Sequence, residues 1–189
     1  MKPETRQQEI IRVAAKLFKE KGYSAVTMRD LAKEMGIKAS SLYNHISSKQ
    51  DILNTIIIAL AEEFTDGMRR IQSSNTNCIT KLKQIIELHV KISSQNIYGM
   101  ASLNNDWMHL QDQRDYYQKL RIDYENDFRA ILEQGIDANE IVNSNPGVMM
   151  FSILTTLRSL YVWIPKKEDI NLSELSNTLN QILIEGINK

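Results

Sequence analysis

The chain has 189 residues, of which 42% are hydrophobic and 24% charged, with 23 basic and 23 acidic side chains and one cysteine, Cys78. Those figures belong to a soluble globular protein of one large domain, or of a small domain joined to a larger one. A lone cysteine excludes an intramolecular disulfide and fits a reducing cytoplasm. The zero net charge hides an asymmetry. Residues 1–50 carry ten Lys/Arg against five Asp/Glu, which leaves thirteen against eighteen in the remainder. A basic first segment on an acidic remainder suits a DNA reader that confines its binding surface to one end. The apolar run 56–61 is far too short to span a bilayer, and the N-terminus enters an amphipathic helix with no secretory pattern. A cytoplasmic protein without a membrane partner is the expectation.

In chain order, Ile10, Ile11, Ala14, Leu17 and Phe18 recur at helical spacing, which predicts a first helix over 4–21, ended by Gly22. Thr27 with Asp30 three residues on reads as a capping box. Leu31, Ala32 and Met35 then share a face, and Gly36 stops the second helix in the left-handed conformation. A short third helix over 39–45 points Leu42 inward. Two short helices joined by a glycine turn make a helix-turn-helix, whose second helix enters the major groove of DNA. Lys38, Ser40, Ser41, Tyr43, Asn44 and His45 offer donors to phosphates and base edges, and Ala39 leaves room for close approach. Ser48 with Asp51 caps the next helix. Lys49 in its first turn opposes the helix dipole, an argument that a bound phosphate would reverse.

The fourth helix, over 49–71, carries Leu53, Ile56, Leu60, Phe64, Met68 and Ile71 along one stripe. The polar cluster 73–77 is a boundary. A fifth helix follows over 78–94 with Leu82, Ile86 and His89 on one face, and a sixth over 97–111 with Met100, Leu103, Trp107 and Leu110. The seventh, over 113–134, shows Tyr117, Leu120, Tyr124, Phe128 and Ile131, with Gly135 closing it. Asn145 and Pro146 open an eighth helix that is apolar nearly all round, the mark of a buried element, and that ends at Pro165. Asn171 and Glu174 open a ninth. The fold class is therefore all-α, with about nine helices. A three-helix helix-turn-helix domain covers 1–48 and a larger C-terminal helical bundle covers 49–189.

Gly22-Tyr23, Thr27-x-x-Asp30-Leu31-Ala32, Met35-Gly36-Ile37, Ser41-Leu42-Tyr43-x-His45 and Ser48-Lys49-x-x-Ile52-Leu53 resemble the DNA-binding domain of the tetracycline-repressor (TetR) family. The resemblance covers about a quarter of the chain in order and spacing. It implies that Tyr43, Lys49 and the Thr27 region, including Arg29, hold phosphates, and that residues from Lys38 to Asn44 read bases. Ile46 stands where an aromatic is common, and Ala39 where glycine or proline often sits, which puts the base preference in doubt. Further on, Asp106-Trp107-x-x-Leu110, Arg121-x-x-Tyr124-Glu125-x-x-Phe128, Gly135-Ile136 and Leu157-Arg158-x-Leu160-Tyr161-x-Trp163 look like the C-terminal domains of TetR regulators linked to fatty-acid and acyl-CoA metabolism.

Catalytic signals are absent from the sequence: no His-x-x-x-His, Cys-x-x-Cys or glycine-rich phosphate loop occurs. His89 and His109 read as core or pocket-edge residues, and Cys78 has no second cysteine with which to form a redox pair. No enzyme activity, metal or cofactor is expected. Met100, Leu103, Trp107, Tyr124, Phe128, Met150, Phe151, Leu154 and Tyr161 instead set bulky groups on facing helices, where bundles hold small molecules. Each of them singly is as well explained by core filling. Arg158 lies in the apolar stretch 149–164 and needs water, a carboxylate (Asp106 first, Glu125 second) or an anionic effector head group. The eighth and ninth helices, the latter through Leu175, Leu179, Ile182 and Leu183, pair with a second copy as a four-helix interface. The reading is a homodimeric DNA-binding regulator, most simply a repressor. Its partners are a palindromic operator and a small, largely apolar effector such as a fatty acid or acyl thioester. An activator, an effector-independent regulator, or a helical ligand-binding protein that ignores DNA are the alternatives.

Overall fold

Local caps decide where most helices begin. In the computed structural model, which describes residues 3–167 and 169–185, Thr5 and Gln8 form a capping box that starts α1 (Arg6–Lys21), and Thr27 and Asp30 form another that starts α2 (Met28–Glu34). Gly22 at φ 82° and Gly36 at φ 67° end these helices in the region that favours glycine. At Gly36 the Ile37 N–H reaches back to the Ala32 carbonyl at 3.0 Å, a Schellman closure. The third helix is shorter than expected: α3 covers Ala39–Leu42 only. The Leu42 carbonyl accepts from both His45 (2.9 Å) and Ile46 (3.0 Å), so Tyr43, Asn44 and His45 form a turn. Their weak helix propensity allows it.

Helix α4 (Lys49–Gln72) starts with the Ser48 hydroxyl accepting from the Asp51 N–H, and α5 (Cys78–Gln95) starts with the Asn77 side chain accepting from Thr80. Helix α6 (Ile97–Asn105) stops earlier than its apolar stripe suggests. The Asn104 side chain bonds back to the Met100 carbonyl at 2.8 Å, and Trp107–His109 continues as a 3-10 turn. Helix α7 (Arg114–Asp137) runs through Gly135 instead of ending there. Asn139, at φ 59°, closes it, with the Glu140 N–H on the Gly135 carbonyl at 2.9 Å. Gly135 serves packing: a Cβ there would meet the Cβ of Cys78 at 2.8 Å.

The stretch Pro146–Lys166 is long and apolar enough, at a mean hydropathy of 1.4, to cross a bilayer by composition alone. It folds as α8 (Pro146–Arg158), α9 (Leu160–Trp163) and a 3-10 turn that contains Pro165, and α8 and α9 both pack on α5. The expected single helix is broken at Ser159. Ser152, Thr156 and Ser159 each donate to the carbonyl four residues back, which weakens the helical ladder. Nor is this element wholly buried: Val148 is 59% and Phe151 68% exposed, while Ile153, Leu154 and Leu157 are inside. Helix α10 (Leu172–Glu185) begins at Asn171, whose side chain accepts from Ser173 and Glu174. Among the described residues there is no strand.

The helices divide into two compact units. One comprises the chain up to Ala61 together with Tyr98–Tyr117, and the other Glu62–Ile97 and everything from Gln118 onward. The first half of α4 and the α6 segment thus pack with the helix-turn-helix, a different partition from the boundary at 48/49. Gly99 explains part of it, since a Cβ there would stand 3.0 Å from Leu60 and 3.4 Å from Ile56. Ile10, Leu17, Phe18, Leu31, Leu42, Ile52, Leu53 and Ile57 form the core of the first unit. Ile46, the departure from the family's aromatic, is buried at 5% and fills that core as an aliphatic.

Candidate functional site

The helix-turn-helix presents its polar residues outward. Arg29, Lys38, Ser40, Tyr43, Asn44 and His45 are exposed, Ala39 and Ser41 half-buried, and Tyr43 keeps 55% of its surface. Among the described residues the side chains of Lys38, Ser40, Tyr43, Asn44 and His45 have no hydrogen-bonding or ionic partner, so their donors remain available to a ligand. Leu42, fully buried, fixes the orientation of this turn.

Two residues expected to hold phosphates are already engaged. The Thr27 hydroxyl donates to Asp30 at 2.6 Å and accepts from its N–H at 3.1 Å. Those bonds from Thr27 hold the Asp30 carboxyl below the ordinary carboxylate range. Lys49 donates to the Tyr23 carbonyl at 2.9 Å and to the Val26 carbonyl at 2.8 Å, with its ammonium 4.3 Å from the centre of the Tyr23 ring. An ammonium has three donors, so one remains free for a phosphate. The primary role of Lys49 in this structure is to fasten the turn between α1 and α2 to the start of α4.

Gln50, which drew no attention in the sequence, extends that fastening. It accepts from the Tyr23 hydroxyl at 2.9 Å and donates to Asn54 and to the His109 carbonyl, each at 3.0 Å. Tyr23, Lys49, Gln50, His109 and Arg114 line a cleft of about 610 Å³ within this unit. An amide adjacent to a recognised motif carries no sequence signal of its own, because its partner is 59 positions away.

The ten residues expected at a ligand site do not fall in one unit. Met100 (buried), Leu103 and Trp107 (half-buried) belong to the first; Tyr124, Phe128, Met150, Phe151, Leu154, Arg158 and Tyr161 belong to the second. Trp107 stacks on Tyr117 at 6.0 Å, with the Arg114 guanidinium over it at 5.9 Å. In the second unit Tyr124, Phe128 and Leu154 are buried, Met150 is half-buried, and Phe151 points to solvent. Around Tyr124 lies a buried aromatic and polar cluster. His89 Nε2 is 2.7 Å from the Tyr124 hydroxyl, the Phe64 ring lies 4.6 Å from the His89 ring, and Phe128 meets Tyr124 edge-on at 6.5 Å. Burial, reinforced by the charge of Arg158, pulls His89 down to about 3, so its imidazole is neutral. Burial pushes the Tyr124 phenol far above its usual range.

Arg158 takes the second of its two candidate carboxylates. It donates to Glu125 at 3.1 Å, and Arg121 donates to the same oxygen at 3.0 Å. Burial raises the Glu125 carboxyl, but the two guanidinium groups outweigh it and hold the group below its usual range. Asp106 lies in the first unit, and its carboxyl is raised by burial. Burial and then the charge of Glu140 push the Cys78 thiol to about 11, which rules out an activated thiolate. Among the described residues no three His, Cys, Asp or Glu side chains gather as a metal site.

Helix α10 buries Ser176, Asn180 and Ile184 against α5, leaves Leu175, Leu179 and Leu183 half-buried, and exposes Ile182 at 65%. Its more apolar side is the one left open.

Comparison with known proteins agrees with this architecture. Residues 10–56 match the model of bacterial regulatory proteins of the tetR family, and residues 75–187 match the tetracyclin repressor-like C-terminal domain. The chain is 26% identical over 185 residues to the HTH-type transcriptional repressor KstR2 of Rhodococcus jostii, covering 96% of this chain and 91% of that protein. The structure of the ketosteroid transcriptional regulator KstR2 of Mycobacterium tuberculosis superposes with a TM-score of 0.92 at 20% identity, covering 100% of this chain and 97% of the other. The structure of AibR in complex with isovaleryl coenzyme A and operator DNA gives a TM-score of 0.79 at 18% identity, with 94% and 97% covered. With both of its domains matched, the chain belongs to the tetR family of bacterial regulatory proteins.

Proposed function

We propose that this protein is a cytoplasmic homodimeric transcriptional repressor whose two helix-turn-helix segments read the halves of a palindromic operator. A small, largely apolar effector held by the C-terminal bundle releases it from DNA, and it catalyses no reaction. The observation that carries the reading is the turn around α3, where Lys38, Ser40, Tyr43, Asn44 and His45 are exposed with no partner among the described residues. Buried, capped flanking helices hold that set in place, which is the arrangement base reading requires. The exposed apolar faces of α8 and α10 support self-association, and two-fold pairing sets half-site spacing near one helical turn of DNA or a multiple of it. The buried aromatics Tyr124 and Phe128, with Leu154, support an apolar effector site within the second unit, to which Met150 and Arg158 are further candidates. A relative crystallised with isovaleryl coenzyme A and operator DNA favours an acyl thioester or the corresponding fatty acid as its class.

A mobility-shift titration with DNA from upstream of the protein's own gene tests the reading. Retardation of that DNA in preference to random duplex, reversed by acyl-CoA thioesters, is the expected result. Exchange of Lys38 or Ser40 changes which sequences are preferred. Retention of full sequence preference by both variants would move base reading elsewhere. Absence of any preference for upstream DNA would leave a ligand-binding bundle that does not regulate at that site.

A further inference from the structure

The second unit contains a small excess of buried hydrogen-bond donors. His89 is 4% and Tyr124 6% exposed, and each is neutral. Together they carry two polar hydrogens, one on the imidazole and one on the phenol. The single contact between them, Nε2 to hydroxyl at 2.7 Å, uses only one of the two. If the phenol donates, an N–H remains on Nδ1; if the imidazole donates, the phenol hydrogen remains. Either tautomer leaves one donor over. Among the described residues His89 Nδ1 has no partner, and neither has the hydroxyl of Ser93, fully buried one turn further along α5. Buried donors without acceptors are costly and call for an occupant.

We propose that His89, Tyr124 and Ser93 receive an uncharged carbonyl oxygen of the effector, from a ketone or an acyl thioester. This rests on the effector reading above and specifies its polar contact. A carbonyl oxygen accepts two hydrogen bonds and brings no charge into a site walled by Phe64 and Phe128. A carboxylate is the poorer match, because Arg158, the cation whose charge reaches His89, is already bound to Glu125 at 3.1 Å. The position also explains transmission. Phe64, whose ring meets His89 at a tilt of 37°, lies on α4, and its neighbour Thr65 donates to the Leu120 carbonyl of α7 at 3.3 Å. An oxygen lodged between α5 and α7 therefore presses on the helix whose first turn carries Lys49.

The test is a matched ligand pair, decanoyl-CoA and its thioether S-decyl-CoA, which differ only in the carbonyl oxygen. Both are titrated against the wild type, Tyr124→Phe and His89→Gln. The wild type is expected to prefer the thioester by about tenfold, with the preference falling below about threefold in Tyr124→Phe. Equal binding of the two ligands by the wild type overturns the assignment, as does a tenfold preference that survives in both variants. In those cases the acyl-thioester reading stands, because both ligands still bind. Should neither bind, that reading fails, and 2-undecanone against undecane decides the carbonyl question by thermal shift. A ketone preference abolished in Tyr124→Phe retains the assignment, and no ketone preference rejects it. If Tyr124→Phe does not fold, His89→Gln decides: loss of the preference there retains the assignment, and its survival rejects it.

Discussion

Lys49 donates to the backbone carbonyl of Tyr23 at 2.9 Å while its ammonium faces the ring of the same residue at 4.3 Å. A cation in the first turn of a helix is unfavourable in isolation. Here the cost is offset by two carbonyls and an aromatic face, and the result is a closed turn ahead of the reading element.

Lys49→Ala should therefore lower the stability of the DNA-free protein. With the group part-exposed, the loss is about 1–2 kcal/mol, which corresponds to a Tm drop of roughly 2–8 °C for a chain of this size. Calorimetry without DNA checks it. If the Tm holds while the salt dependence of operator binding becomes shallower by about one unit, Lys49 acts on phosphate and the fastening role is wrong.

The Arg158–Glu125 pair leads to a small number. Both side chains are partly exposed, at 39% and 29%, and Glu125 keeps Arg121 when Arg158 is lost. Arg158→Met should cost about 0–1 kcal/mol at neutral pH by urea denaturation. A loss of several kcal/mol would show a sealed ion pair instead. Normal stability and operator binding with lost release by acyl thioesters would place Arg158 in contact with the effector.

His89 should make the protein acid-labile. Its folded pKa, about 3, lies below the ordinary 6.5, so between those values the unfolded chain binds a proton that the folded one refuses. The stability present above pH 6.5 is lost as pH falls toward 3, at about 1.4 kcal/mol per pH unit. Urea denaturation from pH 7 to 4.5 reads the slope, and His89→Gln should flatten it. An unchanged slope in that variant would assign acid lability to other groups.

Phe151 and Ile182 are exposed at 68% and 65%, so neither is needed by the core of one chain. Phe151→Asp or Ile182→Glu should leave the unfolding free energy of the single chain within about 0.5 kcal/mol of its original value. Either change should produce monomers in sedimentation, with operator affinity falling as the second half-site is lost. Dimers with full affinity in both variants would put the interface on another face.

Much of this architecture follows from residues a few positions apart. Capping boxes at Thr5 and Thr27, the left-handed Gly22 and Gly36, and the Asn145-Pro146 start all act within one helical turn, so the sequence alone determines them. The same holds for the polar set from Lys38 to His45, whose exposure follows from Leu42 pointing inward. Distant partners were not legible. Glu125 in place of Asp106 for Arg158, the carbonyls that engage Lys49, and the Tyr124 hydroxyl for His89 are separated from their partners by 33, 23 to 26, and 35 positions. Gly135 looked like a helix stop, yet it is a close approach to Cys78, because a missing side chain does not say whether backbone rotation or packing required its loss. An apolar residue likewise carries no mark of its cover: Leu154 and Phe151 share α8, and only the packing of α8 on α5 decides that one is core and the other surface.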